Sequence, residues 1–81
     1  METRLAIIAI IIESPESVTQ VNHILHNASS YIIGRMGMPY SKKNVSIITI
    51  VVDAPQDVIS SLSGKLGQIS SVSIKTTYSK V

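Results

Sequence analysis

The stretch Leu5-Ala-Ile-Ile-Ala-Ile-Ile-Ile12 is eight residues long, uninterrupted by polar side chains and dominated by β-branched isoleucine. A second run, Val45-Ser-Ile-Ile-Thr-Ile-Val-Val52, has the same length and the same bias. A strand with one wet face alternates apolar and polar residues; these two scarcely do. Both therefore read as strands buried on both faces. A chain of 81 residues has little material with which to cover two faces of a sheet. Another copy of the chain, or a partner, is expected on the second face.

The chain echoes itself at an offset of forty. Ile8, Ile10 and Ile12 match Ile48, Ile50 and Val52, and Glu13-Ser-Pro-Glu-Ser-Val18 matches Asp53-Ala-Pro-Gln-Asp-Val58. Arg35 matches Lys75. Each half opens with a strand, followed by an acidic residue and a proline. Proline suits a first helical turn, where its missing N–H costs nothing. Ser14 is placed to cap the first helix, and Asp53 with Gln56 resembles a capping box one residue out of register. Val18, Val21, Ile24, Leu25 and Ala28 form one helical stripe, and Val58, Ile59, Leu62 and Leu66 a second. Ser60, Ser61, Ser63 and Gly64 lower the propensity of the second helix, which must lean on packing. Gly67 is placed to stop it. A further strand follows each helix, over about residues 31–38 and 72–80, with Met38-Pro-Tyr-Ser-Lys-Lys-Asn44 as the turn between halves.

The order is βαββαβ, a ferredoxin-like α+β sandwich: a four-stranded antiparallel sheet with two helices on one face, in a single domain over residues 1–81. Right-handed crossovers put the first and third strands at the centre, and these are the two all-apolar runs. Strand alternation then sorts the faces. Ile8, Ile10, Ile12, Ile48, Ile50 and Val52 are assigned to the helix-covered face, with Ile32, Val72 and Ile74 beside them. Ile7, Ala9, Ile11, Ile47, Thr49 and Val51 form the open face and a subunit interface. Edge-strand residues Ile33, Arg35, Ser73, Lys75 and Thr77 are assigned to its rim. The expected assembly is a homo-oligomer, a dimer by sheet stacking or a tetramer if edge strands also pair.

Composition narrows the function classes. Hydrophobic residues make up 44% and charged residues 15%, and there are three Tyr but no Phe or Trp, so the core is aliphatic. The absence of Cys excludes disulfides, thiolate metal sites and thiol catalysis and fits a cytoplasmic protein. An eight-residue apolar run is far below the ~20 residues that span a bilayer. A net charge of +2 makes no demand for nucleic acid. The fold itself does not choose a function. A copper-chaperone-like domain needs a Cys pair, and an RNA-recognition motif needs aromatics on the open sheet face. An acylphosphatase-like site needs a phosphate cradle where Glu13-Ser-Pro15 stands.

Several side chains are of types that carry chemistry. His23 and His26, at i and i+3 on the first helix, could meet one metal, but two ligands leave a site incomplete; solvated surface histidines are the plainer reading, and no metal or cofactor is expected. Glu13 and Asp53 end the two central strands and could pair for acid–base work, or serve the helix N-termini they precede. No catalytic constellation assembles, and an enzyme is not expected. Gly64-Lys-Leu-Gly67 lacks the flanking pattern of a phosphate loop and lies late in a helix. Gly34-Arg-Met-Gly-Met-Pro-Tyr40 is the most unusual segment. Its glycines permit close approach of a ligand or backbone, Arg35 can fork onto an anion, and Met36 and Met38 make an adaptable surface. The alternative is a bulged edge strand whose glycines relieve crowding. Gly34, Arg35, Met36, Gly37, Tyr40 and His26 are the candidate ligand-binding residues, for an anionic or zwitterionic small molecule held between subunits.

The runs Ile24-Leu-His26, Tyr31-Ile-Ile-Gly-Arg-Met-Gly-Met-Pro-Tyr40, Gly64-Lys-Leu-Gly67 and Val72-Ser-Ile-Lys75 resemble the iron-only hydrogenase system regulator family. These are small bacterial proteins similar to stand-alone ACT-like domains and to the C-terminal domain of the nickel-responsive repressor. The resemblance covers essentially the whole chain. It implies an oligomeric, ligand-sensing, cytoplasmic protein tied to hydrogenase regulation, or alternatively a protein-interaction factor for hydrogenase maturation with no small-molecule ligand. ACT-like domains bind small ligands such as amino acids between subunits, near the first strand–helix loop; Ser14-Pro15 stands here where a glycine is typical. With no Cys, a copied nickel site is not expected. With no ribbon or helix-turn-helix arm legible, neither is direct DNA binding.

Overall fold

The computed structural model describes residues 2–80. The two apolar runs form its central strands, β1 (Arg4–Ile12) and β3 (Val45–Ala54). Helix α1 (Pro15–Asn27) leads through a short 3-10 turn (Ser29–Tyr31) into β2 (Ile32–Tyr40). Helix α2 (Gln56–Gly67) leads into β4 (Val72–Tyr78). The sheet order is β2-β3-β1-β4, antiparallel throughout. This is the ferredoxin-like α+β arrangement expected from the repeat. No described helix is long and apolar enough to cross a membrane.

One face of the sheet carries the core. Ile8, Ile10, Ile12, Ile48, Ile50 and Val52 are buried against Val21, Leu25 and Ala28 of α1 and Ile59, Leu62 and Leu66 of α2. Ile32, Val72 and Ile74 pack at the margins as expected. Each isoleucine taken fully out of water contributes roughly 1.5–3 kcal/mol. The serine-rich α2 thus draws its stability from this packing, since its sequence offers little on its own.

The strand boundaries shift from expectation. Met38, Pro39 and Tyr40 belong to β2, so the connection shrinks to a 3-10 turn at Ser41–Lys43. Asn44 closes it at φ 54°, ψ 44°, a left-handed conformation that Asn tolerates. Proline at 39 is admissible because β2 is an edge strand. β4 ends at Tyr78, two residues early, with Ser79 N–H donating to Leu5 O at 2.9 Å.

Neither expected side-chain cap forms. Ser14 occupies the N-cap of α1, but its hydroxyl donates to Glu16 Oε2 at 3.3 Å instead of accepting from the helix. Pro55 is the N-cap of α2, and no capping box involves Asp53 and Gln56. The Gln56 amide is committed elsewhere: its Oε1 accepts from Arg4 Nη1 at 2.7 Å, and its Nε2 donates to Tyr78 Oη at 2.8 Å and Ser60 Oγ at 3.1 Å. The Arg4 guanidinium also stacks 4.3 Å from the Tyr78 ring centre. This cluster joins β1, α2 and β4 at one end of the sheet.

At the other end, Glu13 N–H donates to Ser71 O at 2.8 Å and Ser17 Oγ donates to Ser70 O at 3.1 Å. Ser71 adopts φ 68°, which serine has no side-chain reason to favour. Ser71→Gly is expected to stabilise the fold by about 0.5–1 kcal/mol, the relieved strain outweighing the added freedom of the unfolded chain. Ile10→Ala, at the fully buried centre of β1, is expected to cost roughly 2–5 kcal/mol. Urea midpoints at unchanged slope check both.

Candidate functional site

The pleat turns every second residue of β1 and β3 away from the helices. The cross-strand pairs Ile7 with Val51, Ala9 with Thr49 and Ile11 with Ile47 lie together on this open face. Ile7 is 47% and Ile11 37% exposed, Ala9 is exposed, and Ile47, Thr49 and Val51 are half-buried. β4 contributes Ser73, Lys75 and Thr77, paired with Ile11, Ala9 and Ile7. The six residues expected at an interface therefore share one continuous apolar surface.

The β2 rim departs from expectation. Ile32 pairs with Val52 but Gly34 pairs with Val51, so Ile33 is an extra residue, a β-bulge. Beyond the bulge every side chain changes face. Arg35 pairs with the core residue Ile50 and lies on the helix side, where its Nη2 donates to Asn22 Oδ1 of α1 at 2.7 Å. The open face receives Met36, opposite Thr49, and Met38, opposite Ile47. They are 54% and 44% exposed. Arg35 and Lys75, equivalent in the repeat, thus point to opposite sides of the sheet. The two methionines were missed as open-face residues. Gly34 was the available signal, since an isolated glycine in a strand marks a bulge.

The candidate ligand set is divided by the same bulge. Gly34 and Met36 align with open-face residues, while Arg35 and Gly37 align with Ile50 and Ile48 of the core face. His26 is exposed on α1, one turn beyond Asn22 and so on the Arg35 side of the helix. Tyr40, 41% exposed, lies at the far end of β2. The segment does not converge on one pocket within the chain. Nor do its glycines relieve crowding. A Cβ at Gly34 would meet nothing within 4 Å, and one at Gly37 would make only ordinary contact with Ile48 Cγ1 at 3.8 Å and Ile47 O at 3.9 Å. Neither has positive φ. The chain's own packing does not require glycine at either place.

The remaining candidates resolve by topology. Glu13 follows the end of β1, whereas Asp53 pairs with Leu5 near its start. Antiparallel pairing thus carries the two carboxylates to opposite ends of the sheet, about 27 Å apart at 3.4 Å per residue. They cannot act as a pair within one chain. His23 and His26 are both exposed, and His23 Nε2 lies 3.5 Å from Asn27 Nδ2. Among the described residues no group of three or more His, Cys, Asp or Glu side chains could hold a metal ion. Gly64 and Gly67 lie in the second half of α2, where a phosphate loop has no place.

Arg35→Ala removes one exposed hydrogen bond to Asn22. It is expected to change stability by less than about 1 kcal/mol. Met36→Lys should be equally mild for the isolated fold, because the side chain touches no core. Chemical denaturation of the two variants beside Ile10→Ala checks this division between rim and core.

No curated protein matches the chain. Among solved structures, the protein TM1266 from Thermotoga maritima superposes with a TM-score of 0.94 at 42% sequence identity, covering 98% of this chain and 100% of that one. The C-terminal domain of the MgtC protein from Mycobacterium tuberculosis gives a TM-score of 0.70 at 13% identity, over 96% of this chain and 89% of that one. A formyltetrahydrofolate deformylase from Pseudomonas putida gives 0.64 at 13% identity, over 90% of this chain and 28% of that one. The last two share the fold alone. The TM1266-like family model matches residues 4–76, and with the extent of the TM1266 likeness this shows that the chain belongs to the TM1266-like family, described as an iron-only hydrogenase system regulator.

Proposed function

We propose that the chain is a small regulatory domain of the iron-only hydrogenase system that works as a homo-oligomer, sheet face against sheet face, and responds to a small-molecule ligand. The observation that carries this reading is the open face. Ile7, Ile11, Met36 and Met38 stand exposed on a surface with few charges, beside the half-buried Ile47 and Val51. Patches of this kind mark interaction sites.

A second copy is the natural occupant. The small residues Ala9 and Thr49 sit opposite one another at mid-strand, leaving room for side chains of a facing sheet to interdigitate. Gly34, aligned with Val51 on the open face, is a glycine that the isolated chain does not need, as expected where another backbone approaches. Face stacking is favoured over pairing of edge strands because both edges are blunted. β2 carries a bulge and Pro39, and β4 presents Lys75. These are the devices by which sheets resist edge-to-edge association.

Light scattering at micromolar concentration is expected to give an integral multiple of 8.7 kDa. Ala9→Glu should return the mass to that of one chain, because it places an unpaired carboxylate in a desolvated interface. An unchanged assembly would show that the contact lies elsewhere, and a wild-type monomer would remove the reading. A thermal-shift screen of amino acids, nucleotides and metal ions tests the sensing function, since a ligand bound only by the native state raises Tm. A stable heteromeric partner with no ligand response would favour an assembly factor instead.

A further inference from the structure

On the layer opposite the open sheet face, the two helices do not close on each other along their whole length. Between the C-terminal half of α1 and the outer side of α2 lies a cleft of ≈ 360 Å³, within the range of small-molecule sites. Its floor is apolar: Ile24 and Val58 are half-buried against the core, and Leu62 is buried beneath them. Its α2 wall carries Asp57, Ser61 and Lys65, at i, i+4 and i+8, hence in one row. The Tyr31 side chain lines it from the start of the α1–β2 connection.

The polar groups of this wall are uncommitted. Among the described residues, Asp57, Ser61 and Lys65 make no side-chain hydrogen bond or ion pair, and neither does the Tyr31 hydroxyl. The opposite charges of Asp57 and Lys65 are held apart by two helical turns, about 12 Å of rise. A cleft with an apolar floor, an anion at one end and a cation at the other is complementary to an extended dipolar molecule. The charges of a single free amino acid are too close together to meet both ends. Three extended residues span about 10 Å and match the row.

We infer that the cleft between α1 and α2 binds an extended zwitterion with an apolar body, of tripeptide length, its ammonium at Asp57 and its carboxylate at Lys65. Bound there, the molecule would bridge the two helices on the side of the sheet away from the open face. The inference deepens the ligand-sensing reading proposed above and names its site; it does not depend on the oligomer geometry.

The test is a titration of the isotope-labelled full chain with leucyl-alanyl-leucine, followed by amide NMR, beside the same peptide acetylated and amidated at its ends. Saturable shifts are expected at residues 24–31 and 57–65. Affinity should fall about tenfold when either end is blocked, and by a similar factor in Asp57→Asn and in Lys65→Gln. Both positions are exposed, so the variants keep the fold, which their amide spectra verify. Absence of saturable shifts at millimolar peptide overturns the proposal. So do shifts centred on the open sheet face, or blocked peptides that bind as well as the free one. None of these results touches the regulatory reading, which the light-scattering and thermal-shift measurements test on their own.

Discussion

The burial of alternate residues of β1 and β3 beneath two helices is the interaction on which everything else rests. Ile8, Ile10, Ile12, Ile48, Ile50 and Val52 leave water completely or nearly so. They hold in place an α2 whose serines would not form a helix unaided, and they set the register that aligns Ala9 with Thr49 and Ile7 with Val51. The same strands are apolar on their other side. Two helices can cover only one face of a four-stranded sheet, so the chain meets its own demand for burial by half. The buried core and the exposed apolar face come from the same two strands.

A single extra residue in β2 decides how that exposed half is finished. With Ile33 bulged, Arg35 is taken out of the open face and tied to Asn22 of α1, and Met36 and Met38 take the rim in its place. A guanidinium on an associating face would have to be desolvated or paired. Two flexible thioethers adapt to whatever packs against them. The bulge therefore makes the face more apolar than strict alternation would, and also disrupts the edge as a template for strand addition. The charges left on this side of the sheet are Lys75, at its opposite margin, and Asp53, at the end of β3 opposite Leu5.

Membership in the TM1266-like family gives this surface a setting, and the fold gives it neighbours of quite different kinds, a domain of a MgtC protein and part of a deformylase. The breadth of those likenesses shows how little the fold alone says about activity. The features of this chain that bear on function are local: an aliphatic sheet face with small residues at its centre, glycines that its own packing leaves without a role, and a cleft between the helices whose charges have no partners among the described residues. The open face and the cleft lie on opposite layers of the fold.

Element order, the central position of the two apolar strands, the helical stripes and the identity of the core are all legible in the order of residue types. These follow from local periodicity and from the forty-residue echo, and both are carried by residue type alone. The membership of the open face along β1, β3 and β4 was legible for the same reason. The rest is set by how the elements pack. A bulge shifts phase by one residue, and the pattern Tyr31-Ile-Ile-Gly-Arg-Met fits equally well with or without it; pairing against β3 chose. Antiparallel pairing sent Glu13 and Asp53 to opposite ends of the sheet although the repeat makes them equivalent. Gln56 was drawn from a cap into contacts with Arg4, Ser60 and Tyr78, which lie far from it in sequence or one turn along. The cleft exists only because two helices meet, and no local pattern in either one announces it. Short-range chemistry specifies elements and faces; where opposite ends, extra residues and shared clefts fall is settled by the long-range packing that brings those elements together.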